Sequence, residues 1–154
     1  MLKSIEPIGS ISAAVIGNLI YEETGKITGT RVVNVEEPKI EFSYASEGIL
    51  KGEIGVTNIG TYWVIPKSSA SPGVMYGEAR GVISTKEGGE LAAWTAQGVG
   101  RYYPEGNRKM KAIGSVFFRT SSTGKLAFLN DVVAIFKHEE DQAGNVYGKK
   151  FELT

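Results

Sequence analysis

The chain has 154 residues, of which 42% are hydrophobic and 22% are charged. This length is enough for one well-buried core but leaves too little for two, so we expect a single domain over residues 1–154. Seventeen basic residues balance seventeen acidic ones, which argues against nucleic acid as the main partner. The densest basic run, Arg101, Arg108, Lys109 and Lys111, flanks a predicted turn and is typical of a solvated loop.

The absence of cysteine excludes disulfides, thiolate metal ligands and a cysteine nucleophile. The apolar stretch at residues 11–20 is interrupted by Ser12, Gly17 and Asn18. It is too short for a membrane span and too broken for a signal segment. We therefore expect a cytoplasmic protein without a membrane partner.

Short β-rich runs, rather than helices, dominate the chain. Twenty glycines are spread over its whole length, as turns, bulges and barrel corners require. Residues 39–46 alternate in polarity, with Ile40, Phe42 and Tyr44 on one side of the strand. No stretch longer than about ten residues has an apolar stripe at helical spacing. The pattern predicts an all-β fold.

Eight or nine strands are predicted in chain order. They cover residues 14–22, 27–35, 39–46, 50–65, 74–84, 90–102, 110–120, 132–139 and 146–153, with an irregular segment at 126–130. Turns are expected at 24–26, 47–48, 86–89, 104–109, 121–124 and 141–145, and a loop at 66–73. Such short connections pair neighbouring strands antiparallel. We expect the sheet to close into an up-and-down barrel of about eight strands, since closure removes exposed edges.

Some predicted strands are apolar on both faces. Val132, Ala134 and Phe136 share one face, and Val133 and Ile135 share the other. A barrel wall needs only one dry face, so the second must meet a covering segment, a partner subunit or a ligand. We predict a homo-oligomer, a dimer or trimer.

Two stretches carry a resemblance to a known group. Residues 76–100 set glycines regularly in paired strands, and residues 114–128 contain the segment Ser-Thr-Gly-Lys-Leu-Ala at 122–127. With the turn at 141–145, they resemble the allene-oxide-cyclase-like β-barrels, which include plant dirigent proteins and small prokaryotic barrels of unassigned function. The resemblance covers residues 40–153 and implies a small barrel. It does not fix an activity, and no residue here matches the catalytic carboxylate of the cyclases.

Metal and cofactor sites are not predicted. His138 is the sole histidine, whereas zinc and redox metals usually need several imidazoles or thiolates. The acidic run 139–141 is typical of a solvated turn, and no glycine-rich segment matches a phosphate-binding loop. His138 alternates with Ala134 and Phe136, so it is expected to face the barrel interior near a rim. It is expected to be a hydrogen-bonded or exposed histidine rather than a catalytic one.

A candidate ligand-binding set combines charged, amide and aromatic side chains: Tyr76, Glu78, Arg80, Trp94, Gln97 and Arg119. Glu78 and Arg80 are two residues apart and share a face of their strand. Trp94 and Gln97 share a face only if a bulge intervenes, which Gly98 would allow. Pointing inward, the Glu78–Arg80 pair would bind a polar ligand group. Pointing outward, it would be an ordinary surface ion pair.

Three functions follow from this interpretation. The first is a barrel that binds a small apolar or mixed-polarity molecule, of unknown physiological role. The second is a cyclase or isomerase that steers the conformation of its substrate inside the barrel. The third is a structural or protein-interaction module whose barrel is filled by side chains.

Overall fold

A computed structural model describes residues 16–66, 73–103 and 108–154 of the chain. In this part of the chain the main elements are eight strands: β1 (Ile16–Asn34), β2 (Lys39–Leu50), β3 (Ile54–Pro66), β4 (Val74–Thr85), β5 (Leu91–Tyr102), β6 (Arg108–Arg119), β7 (Val133–Asp141) and β8 (Asn145–Leu153). Each strand pairs antiparallel with the next, and β8 pairs antiparallel with β1, which closes the barrel. The predicted all-β, up-and-down barrel is confirmed.

The first strand differs from the prediction. Residues 24–26, predicted as a turn between two strands, lie inside the continuous strand β1. Gly25 faces Ser46 of β2 there, and a Cβ at Gly25 would lie 2.1 Å from the carbonyl oxygen of Ala45. The glycine is needed for close backbone approach within the sheet, not for a change of direction.

The turn predicted at 47–48 is also wrong, because both residues belong to β2. The chain turns instead between Leu50 and Ile54, where Lys51 and Gly52 take φ values of 51° and 71°. The turn predicted at 86–89 is confirmed, with Gly88 and Gly89 in the left-handed region. The irregular segment at 126–130 overlaps a short 3₁₀ helix (Ala127–Asp131).

Some predicted boundaries lie outside the described residues. This applies to residues 14–15 of the first predicted strand, to 67–72 of the predicted loop and to 104–107 of the predicted turn. Within the residues described, no helix is long and apolar enough to span a membrane.

The barrel is filled with apolar side chains at one end. Leu126 and Leu129, from the segment of the 3₁₀ helix, are fully buried in one cluster with Leu50, Val56 and Ile83. These last three residues lie beside the β2–β3 and β4–β5 turns, so the helical segment covers that end. A smaller apolar cluster, Phe42, Val64, Met75 and Met110, lies toward the opposite end.

Candidate functional site

A cavity occupies the barrel lumen beyond the filled end. Its empty volume is about 700 Å³ when the open space at its mouth is included. The aromatic side chains of Tyr44, Tyr62 and Trp94 contribute to its walls, and Glu23 and Lys150 contribute charged groups. The site is therefore an apolar pocket with a few polar side chains.

Glycines in the barrel wall make room for the aromatic rings. A Cβ at Gly81 would lie 2.4 Å from the Trp94 ring, and one at Gly60 would lie 2.6 Å from the Tyr44 ring. Both rings therefore pack directly against backbone, which leaves the centre of the lumen open. The glycine periodicity of the sequence reflects this packing as well as turn geometry.

Five buried residues form a hydrogen-bonded group, here called the Glu23 cluster. The Oε2 atom of Glu23 accepts hydrogen bonds from the Tyr21 hydroxyl at 2.7 Å, the Ser46 hydroxyl at 2.5 Å and the Asn58 amide at 2.9 Å. The Trp94 indole donates to Asn58 Oδ1 at 2.8 Å. Neighbouring strands β1, β2, β3 and the more distant β5 supply these groups, so the cluster depends on the assembled sheet.

Lys150 of β8 places its ammonium beside this cluster. Its Nζ lies 3.8 Å from Oε1 of Glu23, and the two side chains are 6% and 1% exposed. The same Nζ lies 4.5 Å from the centroid of the Tyr21 ring and 5.6 Å from that of Trp94, within cation–π range. Thus Lys150 has one carboxylate and two aromatic faces as neighbours inside the lumen.

Burial shifts the pKa of these groups. Loss of solvation lowers the pKa of Lys150 below its ordinary value, although the Glu23 carboxylate opposes the shift. Burial alone would raise the pKa of Glu23, but the charge of Lys150 and the hydrogen bonds from Ser46, Tyr21 and Asn58 outweigh it and hold that pKa low. Glu23 is therefore kept as an anion, while the charge on Lys150 is destabilised.

A second buried carboxylate belongs to Glu140 on β7. It accepts a hydrogen bond from the Tyr62 hydroxyl, and its Oε2 lies 3.0 Å from Nε2 of His138. The Tyr44 and Tyr62 rings pack at 5.7 and 5.8 Å from the imidazole. Burial, followed by the nearby Glu140 charge, raises the pKa of Tyr62. His138 therefore faces the interior, as predicted, and of the two alternatives left open for it, hydrogen-bonded or exposed, it is hydrogen-bonded.

The candidate set predicted from the sequence does not form one site. The exposed Glu78 carboxylate accepts a hydrogen bond from the Tyr76 hydroxyl at 3.1 Å, and the exposed Arg80 guanidinium lies 4.8 Å from the Trp63 ring centroid. Met75 and Ile83 are buried in alternation with these outward side chains. Glu78 and Arg80 therefore lie on the outer face of β4, which is the outward of the two alternatives that the sequence left open, and their contacts there are with Tyr76 and Trp63.

Trp94 alone of the set projects into the lumen. The β5 strand pairs with β4 and β6 without a register shift, so no bulge brings Gln97 onto the face of Trp94. Gln97 and Arg119 are both exposed. Tyr76, Glu78 and Gln97 still border the cavity, beside the cross-strand pair Gly77–Gly98, which has no side chains. Whether any of them contacts a ligand stays a prediction.

Sequence reasoning missed Glu23, Ser46, Asn58 and Lys150. A signal existed for two of them, because Ser46 is in phase with the inward Tyr44, and Lys150 is in phase with the inward Val146. A polar residue at an inward position of an otherwise apolar face is the feature that marks this site. Within residues 16–66, 73–103 and 108–154, no group of three acidic or histidine side chains is placed to hold a metal ion.

The chain matches no protein-family model and no curated protein. It is similar in structure to three solved proteins that it covers almost completely. A protein of unknown function from Clostridium acetobutylicum has 10% identity and a TM-score of 0.72, with 94% of this chain and 100% of that chain covered. A conserved protein of unknown function from Rhodopseudomonas palustris has 12% identity and a TM-score of 0.71, with the same coverage.

The third structure is a β-barrel-like protein from Acinetobacter baumannii, with 13% identity, a TM-score of 0.73, and 94% of this chain and 99% of that chain covered. At such low identity these likenesses establish the small β-barrel fold alone. They give no support to the more specific allene-oxide-cyclase-like assignment.

Proposed function

We propose that the protein binds a small, largely apolar and uncharged molecule in the barrel lumen. The observation that carries this proposal is the open, mostly apolar cavity in the lumen of a barrel whose opposite end is filled. A barrel of eight strands is just wide enough either to fill itself or to hold one small ligand. Here glycines and small side chains such as Ala96 keep the space open.

Charge in the lumen supports the preference for an uncharged ligand. Lys150, the buried cation, already lies beside Glu23, and Glu140 adds a second buried carboxylate. An anionic ligand would have to compete with Glu23 for Lys150 and would approach two acidic side chains. An uncharged molecule with one polar atom avoids this cost and still gains contact with the aromatic walls.

Two fluorescent probes of similar shape test the proposal. N-phenyl-1-naphthylamine is uncharged, and 1-anilinonaphthalene-8-sulfonate is a closely related molecule with an added sulfonate. We expect saturable binding of the uncharged probe, and binding of the sulfonate weaker by about tenfold or more, equivalent to about 1.4 kcal/mol. Binding is followed by fluorescence energy transfer from Trp94, in the lumen, to the bound probe, and Trp63→Phe removes the signal of the other tryptophan.

A matched pair of variants localises the binding. Ala96 is buried on the inner face of β5 and borders the cavity, whereas Ala93 is exposed on the outer face of the same strand. We expect Ala96→Leu to abolish binding of the uncharged probe, because the added atoms occupy the lumen, and Ala93→Leu to retain it. Equal binding by the two variants, or no binding by the unmodified protein, would refute the proposal.

A further inference from the structure

Lys150 differs from the other lysines of the described residues by its burial. Its side chain is 6% exposed, whereas that of the adjacent Lys149, on the outer face of β8, is 56% exposed and pairs with Glu22 at 3.6 Å. Lys150 also borders the cavity. Its ammonium is therefore placed where a ligand in the lumen would meet it.

The ammonium of Lys150 is poorly satisfied by its protein neighbours. The 3.8 Å separation from Glu23 exceeds hydrogen-bond distance, and the hydrogen bonds of the described residues include none donated by Lys150. The faces of the Tyr21 and Trp94 rings also lie near it, and neither accepts a conventional hydrogen bond. An amine held in an apolar cavity, without hydrogen bonds that favour its charged form, is more readily deprotonated to the nucleophilic state.

We infer that Lys150 condenses with an aldehyde or ketone ligand in the lumen to form a Schiff base, an inference that rests on the proposed binding function. The Glu23 carboxylate beside Nζ would neutralise the protonated imine, as it neutralises the ammonium. The ligand is then a carbonyl compound with an apolar body that fits between the aromatic walls, rather than any apolar molecule.

The reaction balances with water as its only by-product. The Lys150 ammonium loses a proton to solvent through the open cavity, and the amine nitrogen attacks the carbonyl carbon, forming a C–N bond as the C=O π bond opens. A proton moves from nitrogen to oxygen to give a carbinolamine. Its C–O bond then breaks as the nitrogen forms the C=N bond, and the leaving hydroxyl takes the remaining N–H proton to become water. The resulting imine takes up one proton, so ammonium and carbonyl compound give iminium and water.

Reductive trapping tests the inference. The folded protein is incubated at pH 7 with 3-phenylpropanal and sodium cyanoborohydride, and its modified lysines are identified by peptide mass mapping. Each adduct adds the mass of the aldehyde less one oxygen atom. We expect Lys150 to be labelled at least about tenfold faster than Lys149, because burial of Lys150 favours its neutral, nucleophilic amine.

Two variants and an unreactive analogue serve as controls. Lys149→Met should keep the adduct and Lys150→Met should lose it. Because Lys150→Met leaves Glu23 without its cation, Glu23→Gln/Lys150→Met serves as a second adduct-free variant. The alcohol 3-phenyl-1-propanol has the same apolar body without a carbonyl, so it should displace N-phenyl-1-naphthylamine and slow the labelling of Lys150.

The possible outcomes separate the two proposals. If the alcohol displaces the fluorescent probe but Lys150 is labelled no faster than Lys149, the Schiff-base inference is overturned while ligand binding stands. If neither the probe nor the alcohol binds, the proposed function fails and the inference fails with it.

Discussion

Glu23→Gln removes the charge from the centre of the lumen with almost no change of shape. Tyr21, Ser46 and Asn58 all donate to the same oxygen, Oε2, so a glutamine with its carbonyl oxygen in that place retains all three bonds as neutral ones. Its amide nitrogen then takes the position of Oε1, 3.8 Å from the Lys150 ammonium. The variant replaces an ion pair by two donors that face each other.

The free energy of unfolding that Glu23→Gln should lose follows from the burial of the Glu23–Lys150 pair. Two unit charges about 4 Å apart attract by about 4 kcal/mol at an effective dielectric constant of 20. Breaking a buried pair by removing one partner costs about 3–5 kcal/mol, so both arguments give the same magnitude. Glu22→Gln is the matched control, because Glu22 and Lys149 lie 3.6 Å apart but are 57% and 56% exposed. The free energy of unfolding that Glu22→Gln loses should stay below about 1 kcal/mol.

Urea unfolding at pH 7 measures both losses by linear extrapolation. Glu23→Gln/Lys150→Met should regain part of the stability lost in Glu23→Gln, because it removes the uncompensated cation. Equal losses for the Glu22 and Glu23 variants, or a double variant no more stable than Glu23→Gln, would refute the argument that burial makes the Glu23–Lys150 pair costly to break.

Four further outcomes are expected. The pKa of Glu23 is lower in the folded than in the unfolded state. The contribution of Glu23 to stability is therefore present above the unfolded-state pKa and is lost as pH falls through the folded-state pKa. The difference in melting temperature between wild type and Glu23→Gln should accordingly become smaller in acid. Arg80→Met should cost less than about 1 kcal/mol by urea unfolding, since it removes an exposed cation–π contact, and a larger loss would contradict the outward placement. Gly81→Ala should lower the free energy of unfolding by about 1–3 kcal/mol through overpacking, because its Cβ would lie 2.4 Å from the Trp94 ring. Gly29→Ala is the control and should be nearly neutral, since nothing lies within 4 Å of its Cβ. Sedimentation equilibrium should show a species heavier than the 16.6 kDa monomer, because outward apolar side chains such as Val82 are exposed; a monomer at all concentrations would count against self-association.

Local alternation was enough to predict the strands and their inner faces in several places. Phe42 and Tyr44 alternate with polar neighbours and are buried, as expected from the period of two. The alternation of Val132 and Ala134 with Val133 likewise matches burial in the structure. Because strands joined by short turns must pair antiparallel, this local information also predicted the barrel.

The meaning of individual glycines depended on tertiary contacts. Gly25 and Gly48 were interpreted as turn residues, yet both lie within strands. A Cβ at Gly48 would lie 2.5 Å from the ring of Tyr21 on the neighbouring strand. A sequence window cannot distinguish a glycine that reverses the chain from one that gives space to a distant side chain. Glycine suits both positions, because it adopts the positive φ of a turn such as Gly52 and leaves open the space that a Cβ would fill at Gly48.

The site itself was decided by closure of the barrel. The sequence predicted a charged pair from two residues on one strand, Glu78 and Arg80, whereas the buried pair joins Glu23 of the first strand to Lys150 of the last. Those two strands become neighbours only when β8 pairs with β1. The sequence by itself therefore determined the strand periodicity and the barrel, because these depend on local alternation and short turns. Which face of β4 points outward, and which distant charges meet in the lumen, depended on register and closure, which are properties of the whole sheet.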